Sequence, residues 1–169
     1  MKKKIESYGL NSLMRLKDTA RMIVMDEVDR LIDDAMQFEE NGDYLSAYDI
    51  WKELALEYNN PLGWEMLGNH LYSGKSYKSK GAALFCRLKA IRANNDDVVD
   101  DLLYIFENSS THVIDDRSLI LEQLRKIKRR MCNPDVKDYE KKLNLLVDAL
   151  EEMIYGDTKP KDFEEFKIV

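Results

Sequence analysis

The side chains able to do chemistry are few, and they are scattered. There are two histidines, His70 and His112, and neither has a second His or Cys at the spacing a zinc site needs. His70 falls inside an apolar, helix-spaced run, where a partly buried, hydrogen-bonded imidazole is a better reading than a catalytic base. Cys86 and Cys132 stand singly and read as two reduced thiols. Asp96, Asp97, Asp100 and Asp101 gather enough carboxylate to attract a cation. The first two are already explained by the positive end of a helix dipole, and no loop of further oxygen ligands accompanies the four. No glycine-rich phosphate loop, nucleophile elbow or EF-hand pattern occurs. The residues therefore predict no catalytic group, no metal and no cofactor.

Two stretches could instead recognise something. Arg125, Lys126, Lys128, Arg129 and Arg130 form the basic cluster RKIKRR. At the C-terminal end of a helix such cations interact favourably with the dipole, so a solvated helix end explains them. The functional alternative is a patch for phosphates or for an acidic protein surface. The tail DTKPKDFEEFKIV carries Phe163, Phe166, Ile168 and Val169. These residues either dock on the last helix or engage a partner.

The bulk properties narrow the classes further. A chain of 169 residues, 44% hydrophobic and 34% charged, has room for one ordered domain with its own core. With only 7 Gly and 3 Pro there is little turn chemistry for an all-β fold. The net charge of −6 disfavours general nucleic-acid binding, because a phosphate backbone rewards a basic surface. The start, MKKKIESYGLNSLMRLKDTARM, is basic like a signal peptide but is interrupted by Glu6, Asn11, Arg15, Lys17, Asp18 and Arg21. No segment approaches the roughly 20 apolar residues that span a bilayer. A cytoplasmic location without membrane contact is expected, and Asn108-Ser109-Ser110 then reads as loop chemistry rather than a glycosylation site.

The elements that must position these residues are helices. Leu10, Leu13, Ala20, Val24, Val28, Leu31, Ala35 and Phe38 recur at helical spacing, predicting one long helix or two broken near 25–27. Asn41-Gly42 stops it, and Asp43 can cap the next helix, 44–57. Asn59-Asn60-Pro61 separates that helix from one over 62–72, which Ser73-Gly74 ends. Further helices are predicted over about 81–93, from Asp96-Asp97 through Phe106, and from Asp115 or Asp116 to about Cys132. ENSSTH between the last two reads as a loop. Asn133-Pro134 reads as a cap and first-turn proline for a final helix carrying Val136, Tyr139, Leu143, Val147, Leu150 and Ile154, stopped by Gly156.

The chain also repeats. An offset of 35 places Ala47 on Ala82, Ala55 on Ala90, Leu56 on Ile91 and Asn59-Asn60 on Asn94-Asn95; it also places Ile32 on Leu67 and Leu67 on Leu102, and Leu71 on Phe106. Each unit is a helix, a short loop and a second helix, with small residues where the two cross. On these residues the chain resembles the tetratricopeptide family. WEMLG (64–68) fits the W-x-x-L-G opening of that repeat, and NGDYLSAYDIW fits its turn and second helix. The segment LGNHLYSGKSYKSKGAALFCRLKAI is similar to the Sel-one-like variety, with Leu67-Gly68, Gly74, Ala83 and Ala90 in matching places. The resemblance covers residues 28–94, about two units. In the third, Leu103 stands where Gly68 stood and Arg117 replaces the crossing alanine, as suits a capping unit.

This predicts an all-α, right-handed solenoid forming a single repeat domain over 1–156. It divides into an N-terminal helix 1–27, units at 28–60 and 61–95, a degenerate unit at 96–132, a capping helix at 133–156 and a tail at 157–169. The resemblance implies that the first helix of each pair lines a concave groove and the second packs outside. The groove positions are then Asp29, Ile32, Met36 and Glu39 in one unit, and Glu65, Asn69 and Tyr72 in the next. Such side chains suit a basic or amphipathic protein or peptide. The expected function is a non-enzymatic interaction scaffold: an accessory chaperone, or an immunity or inhibitor protein of bacterial or phage origin. The alternative is a nucleic-acid-associated regulator that uses the basic cluster. The oligomeric state is left open.

Overall fold

In a computed structural model the described residues are 2–108 and 117–168, with side chains from residue 12 onward. The described residues form seven α-helices and two short 3-10 turns. The helices are α1 Lys2–Glu40, α2 Tyr44–Leu56, α3 Pro61–Ser73, α4 Lys80–Arg92, α5 Asp97–Asn108, α6 Arg117–Met131 and α7 Tyr139–Tyr155. The chain is all-α. It divides into two compact units, Met1–Ile50 and Trp51–Val169, and α2 spans the division.

In the first unit α1 runs unbroken, without the interruption near residue 25 that the sequence left open. Leu31 and Ala35 are buried, whereas Leu13, Leu16 and Ile23 on its earlier turns are exposed. Its end is a Schellman stop: Gly42 sits at φ 76°, and Asp43 N–H and Gly42 N–H donate to the carbonyls of Phe38 and Glu39. Asp43 then starts α2, accepting from Ser46 N at 3.1 Å and Ser46 Oγ at 2.7 Å. These two bonds hold the Asp43 carboxyl below its ordinary pKa.

The second unit uses asparagine for the same task. Asn59 (φ 47°) ends α2 and Asn94 (φ 67°) ends α4. The asparagine after each closes the turn, Asn60 N–H to Leu54 O and Asn95 N–H to Ala90 O. Asparagine tolerates the left-handed region because its short polar side chain bonds locally. Asn60 also caps α3, its Oδ1 accepting from Gly63 N at 2.8 Å, with Pro61 in the first turn. Ser79 caps α4 in the same way through Ala82 N.

Helices α3 and α4 pack as a hairpin whose crossing depends on glycine. A Cβ on Gly68 would lie 3.3 Å from Ala83 O and Cys86 Cβ, and one on Gly63 would lie 2.8 Å from Ala55 N. The alanines that the 35-residue offset pairs, Ala47 with Ala82 and Ala55 with Ala90, are all fully buried, as is Trp51. Helices α5, α6 and α7 follow by neighbour packing, and Gln123 Nε2 donates to Leu146 O across the α6–α7 contact.

Three elements differ from expectation. Helix α7 begins at Tyr139, not beside Pro134, because Asp138 takes a left-handed φ of 59° and residues 133–138 turn instead. Helix α5 continues through Asn108, so Glu107 and Asn108 are helical and not loop. The third concerns α4, the second helix of its pair, which the resemblance places on the outside. It is instead the most enclosed helix of the second unit, with Ala82, Ala83, Phe85, Cys86, Arg87, Leu88, Ala90 and Ile91 all buried. The physical reason is that α7 returns to pack on α4 as well as on α6. A strictly one-dimensional stack makes no such contact. The return is fastened by Arg92, which meets Glu151 Oε2 at 2.9 Å, Asp148 Oδ1 at 2.5 Å and Asn144 Oδ1 at 3.3 Å.

The tail docks, on α4 as well as on the last helix. Phe163 is buried, and Phe166 packs against Phe85 with ring centroids 5.4 Å apart. Lys159 reaches back to Glu151 on α7.

Candidate binding face

Helix α3 brings Glu65, Asn69 and Tyr72 onto one face, because residues four and then three apart stack along a helix. Glu65 and Asn69 are half-buried, and Tyr72 is 43% exposed. The structure adds a residue that pattern reading missed, Arg87 of α4. Its side chain passes beside Gly68 and places the guanidinium beneath this face. Nη2 lies 3.4 Å from Asn69 Oδ1, and the guanidinium carbon sits 4.9 Å from the Tyr72 ring centroid. Arg87 is only 5% exposed, its Nε has no hydrogen-bond partner, and among the described residues no carboxylate forms an ion pair with it. Burial lowers its pKa, and the carboxylates of Asp101 and Glu65 act against that shift. A guanidinium stays protonated throughout.

Glu65 is held from another side. Asn95 Nδ2 donates to Glu65 Oε2 at 2.6 Å and to Pro61 O at 3.2 Å. The stop of α4 therefore positions a carboxylate on α3. The face is a row of one acid, one amide and one phenol, with a buried cation below.

In the first unit, Asp29 and Met36 are exposed while Ile32 and Glu39 are half-buried, all on α1. They belong to the first unit, the α3 residues to the second.

The basic cluster is largely matched by acids. Arg125 pairs with Glu107 at 3.2 Å and Lys126 with Glu122 at 3.4 Å. Lys128 bonds Asp100, which raises the lysine pKa. Asp100 is thus tied to a lysine, away from any shared cation site. Arg129 is exposed, and Arg130 has a buried Nε without a partner. Both line a shallow recess with Lys126, Asn133 and Leu146.

His70 is buried with Nδ1 3.4 Å from Ser76 Oγ, a structural placement. The Cys86 thiol is buried and its pKa is pushed up chiefly by desolvation, whereas Cys132 is exposed. Among the described residues no three His, Cys, Asp or Glu side chains converge as metal ligands, and no helix is long and apolar enough to cross a membrane. His112 and the caps expected at Asp115 or Asp116 lie outside the described residues.

Compared with protein-family models, curated proteins and solved structures, the chain finds no match in any of the three.

Proposed function

We propose that the chain is a non-enzymatic interaction protein, built on repeated helix pairs of the tetratricopeptide kind, that binds a protein or peptide through the faces of its first-of-pair helices. The contacts are Glu65, Asn69 and Tyr72 on α3, with Asp29, Ile32, Met36 and Glu39 on α1. The paired asparagine stops at 59–60 and 94–95 and the buried alanines in register support the repeat. The observation that carries the binding role is Tyr72, an exposed aromatic fixed from beneath by Arg87. An aromatic held rigid before contact loses little entropy on binding, and such residues dominate the energetics of interfaces. Glu65 and the nearby Asp101 favour a partner segment that is amphipathic with basic flanks.

The test is co-purification from the native host with the chain as bait, with the captured partner then titrated in pure form. Tyr72→Ala with Glu65→Lys should weaken the partner at least about ten-fold, and Arg129→Ala with Arg130→Ala should leave it unchanged. The opposite ranking, or a low-salt shift of DNA or RNA that falls steeply as salt rises, would sink this reading in favour of phosphate recognition at the end of α6.

A further inference from the structure

Gly81 occupies the first turn of α4 with ordinary helical geometry, where alanine would make the better helix. The side chain that a Cβ there would meet is Phe166, 3.3 Å away. A helix-weakening residue placed under an aromatic ring marks a seat shaped for that ring. Beside it runs a chain of aromatic contacts. Trp64 meets Phe85 edge-on at 6.3 Å, Phe85 meets Phe166 at 5.4 Å, and Phe166 meets Phe163 at 6.5 Å. Two lysines frame the seat. Lys52 Nζ lies 5.8 Å from the Phe163 ring centroid and 4.0 Å from Glu164, and Lys89 Nζ lies 5.4 Å from the Phe85 ring centroid.

The strip that fills this seat is fastened lightly. Its hydrogen bonds stay local: Phe166 N–H to Phe163 O, Lys161 N–H to Glu165 Oε1, and Thr158 Oγ1 to Tyr155 O. Among the described residues no backbone hydrogen bond ties 157–168 to α2, α3 or α4. Two aromatic rings and the ion pairs of Lys52 and Lys159 do the holding. Segments secured by a few side chains open at far lower free energy than the core beneath them. Gly156, at φ 54° and ψ −128°, gives the strip its pivot.

We propose that the surface formed by Trp64, Gly81, Phe85 and Lys52 is a docking site for a partner protein's segment of the pattern aromatic, two acids, aromatic, and that residues 163–166 are its intramolecular occupant. The occupant shows the chemistry the site accepts: two rings three residues apart, with two acids between them, of which Glu164 meets Lys52 while Glu165 caps the backbone of Lys161. A partner segment gains access by displacing the tail, so the tail sets the concentration at which binding begins.

The probe is a fluorescein-labelled peptide of residues 162–169, DFEEFKIV, titrated by anisotropy against the full chain and against the full chain carrying Phe163→Ala and Phe166→Ala. The double variant should bind saturably and about ten-fold more tightly than the native chain. Adding Gly81→Val or Lys52→Glu should abolish that binding, and a peptide with both phenylalanines replaced should not bind. Equal affinity for both chains, no binding to a double variant that retains its helical circular dichroism, or equal binding of the ring-less peptide would overturn the proposal. So would a native dimer in light scattering that the double variant fails to form, because the occupant would then be a second copy. If the double variant does not fold, Phe166→Ala alone removes only the half-buried ring, and the same outcomes decide.

Discussion

Asn59 and Asn94, 35 residues apart, end their helices in the same left-handed conformation, and each accepts a hydrogen bond from an aromatic donor. Trp64 Nε1 donates to Asn59 Oδ1, and Tyr139 OH donates to Asn94 Oδ1, both at 2.8 Å. One residue type thus stops a helix and anchors a ring on a later one.

The two roles separate by substitution. Asn94→Gly keeps the left-handed stop and loses the exposed tyrosine bond, so it should cost under about 1 kcal/mol, whereas Asn94→Ala should cost about 1–2 kcal/mol. Asn59→Gly should be the worse of the two glycine variants, because it strands the indole N–H of a nearly buried tryptophan, a loss of about 1–3 kcal/mol. Urea midpoints of the three variants check the order.

Gly63→Ala should destabilise despite alanine's better helix propensity. The new Cβ would sit 2.8 Å from Ala55 N and 2.9 Å from Leu54 C, which are backbone atoms that a rotamer change cannot move. We expect a net loss of about 1–3 kcal/mol, read from denaturant unfolding. A neutral result would mean that α2 and α3 slide apart freely.

Glu151 and Asp148 both meet Arg92, yet their removal should differ. The Glu151 side chain is 8% exposed and also receives Lys159, while the Asp148 side chain is 58% exposed. Glu151→Gln should cost about 2–3 kcal/mol because it leaves two cations short of a buried partner. Asp148→Asn should cost under about 1 kcal/mol. Equal losses would show that burial is not what sets the strength of this cluster.

Asp43 provides a pH signature. Its carboxyl is lowered from 3.8 by the two Ser46 hydrogen bonds, so its contribution is fully present above about pH 4 and fades as pH falls through the depressed value. The stability gap between the native chain and Asp43→Ala, followed by circular dichroism, should therefore close on acidification. A gap that persists at about pH 2 would mean the cap acts without its charge.

Most boundaries were legible because they depend on local chemistry. Gly42, Asp43, Asn60, Gly74 and the Asn94-Asn95 pair act through groups within a few residues of themselves, so the residue type announces the turn. Asp138 is the counterexample: Asn133-Pro134 carried the same kind of local signal, and the chain delayed its helix by several residues. Arg87 was illegible for a different reason. Periodicity finds one apolar stripe per helix, and α4 is buried on nearly every side, so its arginine stood out against no polar face. Its place under Tyr72 depends on Gly68 letting the helices approach, and on α7 and the tail covering the far side of α4. The α3 face was reachable by analogy, its buried cation only by packing.

The return of α7 onto α4 also has a consequence for the order of events in folding. The α3–α4, α5–α6 and α6–α7 contacts join sequence neighbours and close short loops, so they form early. The Arg92–Glu151 clasp spans 59 residues and can close only after them. An open array can zip from any unit, but this unit must complete a circuit. Substitutions in the clasp should therefore speed unfolding and leave the refolding rate nearly untouched.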